Sequence, residues 1–289
     1  MADEQLTTVR PLVSVVMPVR DGMPWIEDQL RAVAAQQIMA DWEIVVADNG
    51  SRDGTIPYVI RMCEHYPRVH MIDASARRGP GAARNAGVQS ARGRFLIFCD
   101  ADDVVRPGWL DAMTEALTEA DVVAGVFDFS VLDGSPMTVP VPAGTSQLGF
   151  LPFALGANMA VRRDAFEALD GFSEELPVGE DVDLSWRLQL AGYRFNVAAG
   201  AIVHKRERSS SGPMFRAAWE YGRSGPRLYR RYRENGMRPD LQGAAKAWCW
   251  LVAAAPGLVR PSRRLQWVRT FGIRVGSLAG SVQYRVFFP

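Results

Sequence analysis

The 289-residue sequence predicts an α/β fold: a mostly parallel, twisted sheet flanked by helices, followed by a helical extension. Three observations carry this expectation. Over the first hundred residues, short apolar runs with no polar face alternate with amphipathic stretches, the pattern of parallel strands covered on both sides by their connecting helices. Three of those runs end in functional-looking groups, at Pro18, at Asp48-Asn49-Gly50-Ser51 and at Asp100-Ala101-Asp102, and open α/β sheets bind ligands beyond the carboxyl ends of their strands. Past residue 212 the chain turns helical, basic and tryptophan-rich.

The elements follow in order. LVSVVMP (12–18) reads as the first buried strand, and 24–38 as a helix with Trp25, Leu30, Val33 and Ala34 near one stripe. WEIVVAD (42–48) is a second buried strand, 55–65 a helix, 69–72 a short strand, 81–91 a helix and RFLIFCD (94–100) another strand. A helix over 109–117 and a strand over 121–130 come next. Residues 131–150, rich in Pro, Gly, Ser and Thr, read as a loop or irregular hairpin. A strand is expected over 156–161, a short helix from Asp164, a helix over 180–191 closed by Gly192, and a strand from Tyr193 onward. The expected division is a catalytic-type domain over 1–212 and a basic helical segment over 213–289.

Composition narrows the class. A hydrophobic content of 48% supports a sizeable core and argues against global disorder. The net charge of +1 hides an asymmetry: residues 1–200 hold 16 Lys/Arg against 28 Asp/Glu, and residues 201–289 hold 17 against 4. Three scattered cysteines, Cys63, Cys99 and Cys249, argue against a disulfide framework and fit a reducing, cytoplasmic compartment. The opening MADEQLTTVR lacks the apolar stretch of a signal peptide. No apolar run reaches the ~18 residues of a membrane span, and neither a fixed-period repeat nor a low-complexity segment is present.

The chemistry begins at FCDADD (98–103), where a buried strand ends in self-repelling carboxylates. Asp100 and Asp102 flank one residue and suit a hard cation such as Mg²⁺ or Mn²⁺ shared with substrate phosphates; a solvated acidic turn capping the next helix is the alternative. Asp48 opens a second polar knot, DNGSRDGT, and could accept from the imide N–H of uracil or thymine, while turn and helix-cap roles also fit this stretch. RGPGAARNAG (78–87) enters a helix through glycines, so Gly81 and Arg84 could approach a diphosphate or nucleoside. Its spacing is not that of a dinucleotide fingerprint, and its small residues also suit close helix–sheet packing. Glu180 and Asp181 open a helix, where carboxylates cap the dipole or serve as a general base. Asp183 then reads as structural, with Arg187 pairing Glu180 or Asp183. His204 ends the late strand and could complete a metal shell or be mere decoration.

These motifs, in this order, resemble the family 2 inverting glycosyltransferases of GT-A fold. The resemblance rests on VSVVMPVRDG (13–22), ADNGSRDGT (47–55), GPGAARNAG (79–87), FLIFCDADD (95–103), GANMAVRRDAFEALDGF (156–172) and GEDVDLSWRLQLAGY (179–193). Two positions depart from the usual pattern: Arg20-Asp21 replaces a frequent aromatic-Asn pair, and Asn49 replaces a second Asp. The resemblance implies a GT-A type nucleotide-diphospho-sugar transferase that moves a sugar to a hydroxyl of a glycan or lipid-linked acceptor. It implies Asp181 as general base with Glu180 beside it, and Asp100, Asp102 and His204 around Mn²⁺ or Mg²⁺. Pro18, Val19, Asp48, Gly81, Arg84, Asn85, Asp100, Ala101 and Asn158 are then expected to bind the nucleotide sugar, a UDP or dTDP donor being favoured. A sugar-nucleotide pyrophosphorylase would want a glycine-rich Arg/Lys loop after the first strand, where this chain has VRDGMPW. An inactive relative serving as a scaffold is the reading from another class; intact Asp100, Asp102, Glu180 and Asp181 argue against it.

The C-terminal segment mixes Trp219, Tyr221, Leu228, Tyr229 and Tyr232 with Arg216, Arg223, Arg227, Arg230, Arg231 and Arg233. The mixture suits a peripheral contact with an anionic membrane surface at the cytoplasmic face. It equally suits an aromatic face packed on the first domain with the arginines solvated. Nucleic acid is not expected as a partner, since no RNA-binding module is recognisable.

Overall fold

The computed structural model describes residues 11–133, 138–139, 148–206, 210–256 and 261–289. The N-terminal half runs β1 (Val13–Val19), α1 (Ile26–Ala34), β2 (Trp42–Asp48), α2 (Thr55–His65), β3 (Val69–Asp73), α3 (Pro80–Ser90) and β4 (Phe95–Cys99). It continues through β5 (Val104–Val105), α4 (Trp109–Glu119), β6 (Val122–Asp128), α5 (Ser130–Asp133), β7 (Thr138–Val139), β8 (Asn158–Arg162), α6 (Arg163–Ala168), α7 (Glu180–Leu190) and β9 (Phe195–His204). Three longer helices close the chain: α8 (Ser211–Tyr232), α9 (Leu241–Ala254) and α10 (Pro261–Tyr284).

The strands form one twisted sheet in the order β3-β2-β1-β4-β8-β6-β9-β5, with β7 on β6. Pairing is parallel from β3 to β4 and antiparallel where β8 lies between β4 and β6. β9 returns parallel to β6, and the two-residue β5 pairs antiparallel with β9. The sheet is thus mixed. The parallel half is the part whose βαβ texture the sequence displays; β8 and β9 pair with strands distant in sequence, which no local pattern encodes. The hairpin or loop expected over 131–150 yields α5 and β7, and its remainder over 134–137 and 140–147 lies outside the described residues. The opening decapeptide lies outside them too.

Each core strand has two apolar faces because helices cover both sides. Val13, Val15, Met17 and Val19 of β1 face one cluster with Leu30 of α1, Val59 of α2 and Trp109 of α4. Val16 faces the other, with Val88 of α3, Phe166 of α6 and Leu184 of α7. This period-two split across a covered sheet is why the runs showed no polar face.

The C-terminal helices join the same body. Trp186 of α7, Leu228 and Tyr232 of α8, Met237 and Phe288 form a third cluster, in which the Trp186 and Tyr232 rings meet edge-on at 5.2 Å. Tyr232 Oη also donates to buried Asp183 Oδ1 at 2.7 Å. α8 and α10 run side by side with their backbones touching: a β-carbon at Gly276 would meet the Trp219 carbonyl oxygen at 2.3 Å, so only glycine permits the approach. The packing alternative for Leu228 and Tyr232 therefore holds, while Tyr221, Val252, Val282 and Phe287 stay exposed.

Candidate active site

The tips of β1, β2 and β4 meet at one cleft of about 420 Å³, lined among others by Pro18, Val19, Asn49, Asp100, Ala101 and Asp102. This is the convergence expected at the carboxyl ends of parallel strands. A second concavity of about 360 Å³, lined by Gly212, Phe215, Arg216 and Trp219, includes none of these strand-tip residues.

The base-site candidate Asp48 ends β2 and is 5% exposed. Its Oδ2 accepts from the Gly50 and Ser51 amides at 3.1 Å, whereas Oδ1 is buried with no hydrogen-bond partner among the described residues. A buried carboxylate oxygen left unpaired is costly, and a ligand N–H would satisfy it. The neighbouring Asn49 is a clip. Its Nδ2 donates to the Ala74 and Arg77 carbonyls at 2.6 and 2.8 Å, and its Oδ1 accepts from the Gly79 amide at 3.1 Å. An aspartate could not donate to those carbonyls, which accounts for the departure from the usual residue. Asp21 works similarly: its Oδ1 accepts from the Arg52 amide at 2.7 Å and its own amide donates to Ser51 Oγ, lacing the first loop to the second.

At the tip of β4, Asp100, Asp102 and Asp103 bring carboxylate oxygens within 4.8 Å of one another. Gln29 of α1, fully buried, shapes the turn: its Nε2 donates to the Asp100 carbonyl at 2.8 Å and its Oε1 accepts from the Val105 amide. Two cations answer the crowding. Arg84 Nη2 lies 2.8 Å from Asp100 Oδ1; Lys205 Nζ lies 3.6 Å from Asp100 Oδ2 and 2.7 Å from Asp103 Oδ2. Burial opposes ionisation of Asp100, but Lys205 and Arg84 hold its carboxyl below the usual range. Burial likewise opposes the Lys205 charge, and Asp100, Asp103 and Asp102 together drive its pKa above the ordinary lysine value. Three hard oxygen donors at one strand tip suit a divalent cation.

Asp181 and Glu180 open α7 after Gly179, whose φ of +87° is the left-handed turn that starts the helix there. Asp181 Oδ2 accepts from the Gly156 amide and Oδ1 from the Val182 amide, both at 2.8 Å. Burial pushes its pKa up even though those amides and Arg84 pull the other way. Glu180 is pushed up to about 7, first by burial and then by the Asp181 charge, against the pull of Arg84. Arg187 pairs with Asp183, at 2.7 Å, rather than with Glu180.

Four residues that the sequence puts forward for the site have protein partners of their own. Arg84, expected at the diphosphate, is 4% exposed and spends both terminal nitrogens on carboxylates, Nη1 on Glu180 and Nη2 on Asp100. Asn85 holds the 172–174 turn, donating to the Phe172 carbonyl at 2.9 Å and accepting from its amide at 3.0 Å. Asn158, expected to touch sugar or acceptor, is buried and fully engaged. Its Oδ1 accepts from Trp109 Nε1 at 2.8 Å, and its Nδ2 donates to the Val126 and Ala201 carbonyls at 3.0 Å. His204 ends β9 beside Asp128, 3.4 Å from its Oδ2, and among the described residues the acidic cluster gathers Asp103 in its place. The strand direction carries the next residue, Lys205, to the carboxylates instead.

Gly81 sits where sequence reading puts it, at the start of α3, and a β-carbon there would come within 3.1 Å of Glu180 Cγ. Sequence reasoning missed Lys205, Asp103 and Gln29 as site-shaping groups. Asp103 was visible in the acidic run, but Lys205 and Gln29 lie 102 and 76 positions from their partners, and no local signal marks them.

Comparisons with known proteins bear on the family and the fold. The model for "Glycosyl transferase family 2" matches residues 14–169, and that for "Glycosyl transferase family group 2" matches 141–271. Glycosyltransferase AglE of Haloferax volcanii is 29% identical over 205 residues, covering 68% of this chain and 67% of the relative. Succinoglycan biosynthesis protein ExoO of Rhizobium meliloti is 35% identical over 189 residues, covering 58% of this chain and 54% of ExoO. The pre-mycofactocin glycosyltransferase of Mycobacterium tuberculosis is 28% identical over 271 residues, covering 86% of this chain and 54% of that protein. This chain therefore spans about half the length of the last two. Among solved structures, a mannosyltransferase from Pyrobaculum calidifontis in complex with GDP-Man and Mn²⁺ superposes with a TM-score of 0.67 at 20% identity, over 96% of this chain and 88% of that one. TarS of S. aureus in complex with UDP-GlcNAc gives 0.54 at 19% identity, over 96% of this chain and 93% of that one. With the family model covering more than half of its residues, and with a mixed sheet of GT-A type beneath the cleft, the chain belongs to glycosyl transferase family 2.

Proposed function

We propose that this chain is a metal-dependent, inverting glycosyltransferase that moves a sugar from a nucleoside diphosphate to a hydroxyl of a glycan or lipid-linked acceptor. The observation that carries the reading is the Arg84 bridge: one buried guanidinium ties Asp100 at the donor cleft to Glu180, next to Asp181. A donor-side and an acceptor-side carboxylate are thereby held in a fixed relation, as a displacement needs its nucleophile and leaving group held.

In this reading the unpaired Asp48 oxygen accepts a base N–H, as uracil, thymine and guanine all offer. Pro18, Val19 and Ala101 form the cleft wall against the nucleotide. Asp100 and Asp102 would hold Mn²⁺ or Mg²⁺, which supplies charge neutralisation for the departing diphosphate. Asp181 accepts the proton of the acceptor hydroxyl. The acceptor oxygen bonds to the anomeric carbon from the face opposite the diphosphate while the C–O bond to the diphosphate breaks. Configuration inverts, and no covalent glycosyl-enzyme forms. The raised pKa of Asp181 makes it a stronger base than an ordinary aspartate.

Neighbouring structures were captured with GDP-Man or UDP-GlcNAc, so the base is the first question. A thermal-shift panel of UDP, dTDP and GDP, each with its sugars and with or without Mn²⁺, tests the donor site. Proton NMR of the product's anomeric signal tests inversion; retention would rule out Asp181 as the base of a single direct displacement.

The acceptor reading extends to location. Among the described residues no helix is long and apolar enough to cross a membrane. The segment after residue 200 carries 17 Lys/Arg against 4 Asp/Glu, and Val252, Val282 and Phe287 project from it exposed. Basic charge beside exposed apolar side chains favours peripheral binding to an anionic cytoplasmic leaflet. Flotation with phosphatidylserine-containing vesicles checks this; a chain that stays at the bottom of the gradient at low salt does not bind as proposed.

A further inference from the structure

The geometry points to Lys205 as a resident cation in the divalent-metal site, one whose ammonium must withdraw before the ion can bind. The inference rests on the metal-dependent donor site and adds its regulation.

Neither oxygen of Asp100 is free. Arg84, almost wholly buried, holds Oδ1 at 2.8 Å. The remaining oxygen, Oδ2, faces Lys205 Nζ at 3.6 Å. The same ammonium sits 2.7 Å from Asp103 Oδ2. A divalent ion seeking Asp100 therefore meets an oxygen already facing a positive charge. An ammonium and a divalent ion cannot share that oxygen without strong like-charge repulsion.

The two cations at Asp100 are not equivalent. Arg84 is a planar fork locked between two carboxylates, whereas a lysine is a point charge on a flexible stem. The Lys205 side chain keeps a quarter of its surface exposed, which leaves it a way out to solvent. Its backbone N–H donates to the Asp128 carbonyl at 2.8 Å, which anchors the main chain while the flexible side chain swings. Asp103 needs a partner throughout, being fully buried, and the Arg206 amide at 3.1 Å remains with it when the ammonium moves. An ion at Asp100 and Asp102 replaces the lost charge. The oxygens of a bound diphosphate offer the displaced ammonium a new partner, so ion and nucleotide bind together better than either does alone.

The test is Mn²⁺ titration of the full chain, read by electron paramagnetic resonance of the free aquo ion. Wild type, K205M and K205R are compared with and without UDP or GDP. Without nucleotide, K205M should bind Mn²⁺ at least about tenfold tighter than wild type, within the usual range of coupling between sites. K205R, which keeps the charge, should bind no tighter than wild type. Nucleotide should tighten Mn²⁺ binding to wild type and change K205M far less. Should K205M fold poorly because Asp103 loses its partner, K205Q, which is neutral and can still donate to Asp103, leaves the acidic cluster intact and should show the same gain. Equal or weaker Mn²⁺ affinity in the folded charge-removed variant, relative to wild type, overturns the inference. Thermal shifts by the nucleoside diphosphates in the same samples report on the donor site separately: a wild type that responds to none of them counts against the donor-site reading, while the Mn²⁺ comparison still decides the role of Lys205.

Discussion

Arg84 Nη1 donates to Glu180 Oε1 at 2.8 Å, and both side chains are almost entirely buried. The pair joins α3 to α7, with Asp100 as the third member. Removing one partner of a buried charge network leaves the others uncompensated. R84M should therefore cost about 3–5 kcal/mol of stability, measured by urea unfolding. R84K, with one compact ammonium in place of a fork, should recover only part of this.

The first turn of α7 also sets a pH signature. Glu180 has a folded pKa of about 7, above its ordinary value. The folded state then holds more protons than the unfolded one between the two values, so stability falls as pH rises through that window. E180Q cannot ionise. Its stability relative to wild type should grow from about pH 4.5, the ordinary value, to about pH 7, the folded value, and level off above. Thermal unfolding of both proteins across about pH 4.5–8 checks the sign.

Asp181→Asn keeps the shape of Asp181 at the start of α7 and an oxygen for one of its two amide contacts. The variant should fold and bind donor normally, with kcat reduced by about 10²–10⁴, the usual contribution of a general base. In wild type, kcat should fall as pH drops through a value above that of an ordinary aspartate, because burial favours the protonated form that cannot accept a proton. A pH–rate profile with the limb at an ordinary aspartate value would contradict this.

Asn158→Ala would leave the Trp109 indole N–H and the Val126 and Ala201 carbonyls without their partner. Each buried orphan costs about 1–3 kcal/mol. The variant should lose stability heavily while the protein that folds keeps its donor KM; a selective rise in KM would return Asn158 to the sugar.

Tyr232→Phe removes the hydroxyl that donates to buried Asp183 from the C-terminal helix. A hydrogen bond to a charged acceptor contributes about 1.5–3 kcal/mol, and that loss should appear as a lower unfolding midpoint. The kcat of the folded variant should change little, since Arg187 and Arg231 still pair with Asp183.

Legibility followed the range of the interactions. The βαβ half was readable because a strand covered on both faces must be largely apolar, as β4 is throughout and β1 is but for Ser14, which donates to Glu43. Asp48, Asp100, Asp102, Glu180 and Asp181 were readable because polar groups abutting buried strand or helix ends stand out locally. Arg84 illustrates the opposite case. A glycine-rich helix start suggests phosphate contact, yet 96 positions away Glu180 claims one of its nitrogens. The clips that Asn85 and Asn158 form were hidden for the same reason: an amide can hold distant backbone as readily as a sugar, and its sequence neighbours do not say which.

By itself, then, the amino-acid sequence determined the alternation of elements, the acidic strand tips and the charge divide between body and C-terminal segment. Periodicity, local charge and motif order depend only on neighbours along the chain. Tertiary structure alone decided the antiparallel insertion of β8, the seating of Tyr232 on Asp183 and the arrival of Lys205 instead of His204 at the Asp100 cluster. Those outcomes depend on which distant strands pair and in what register, and a shift of one residue along β9 exchanges an imidazole for an ammonium.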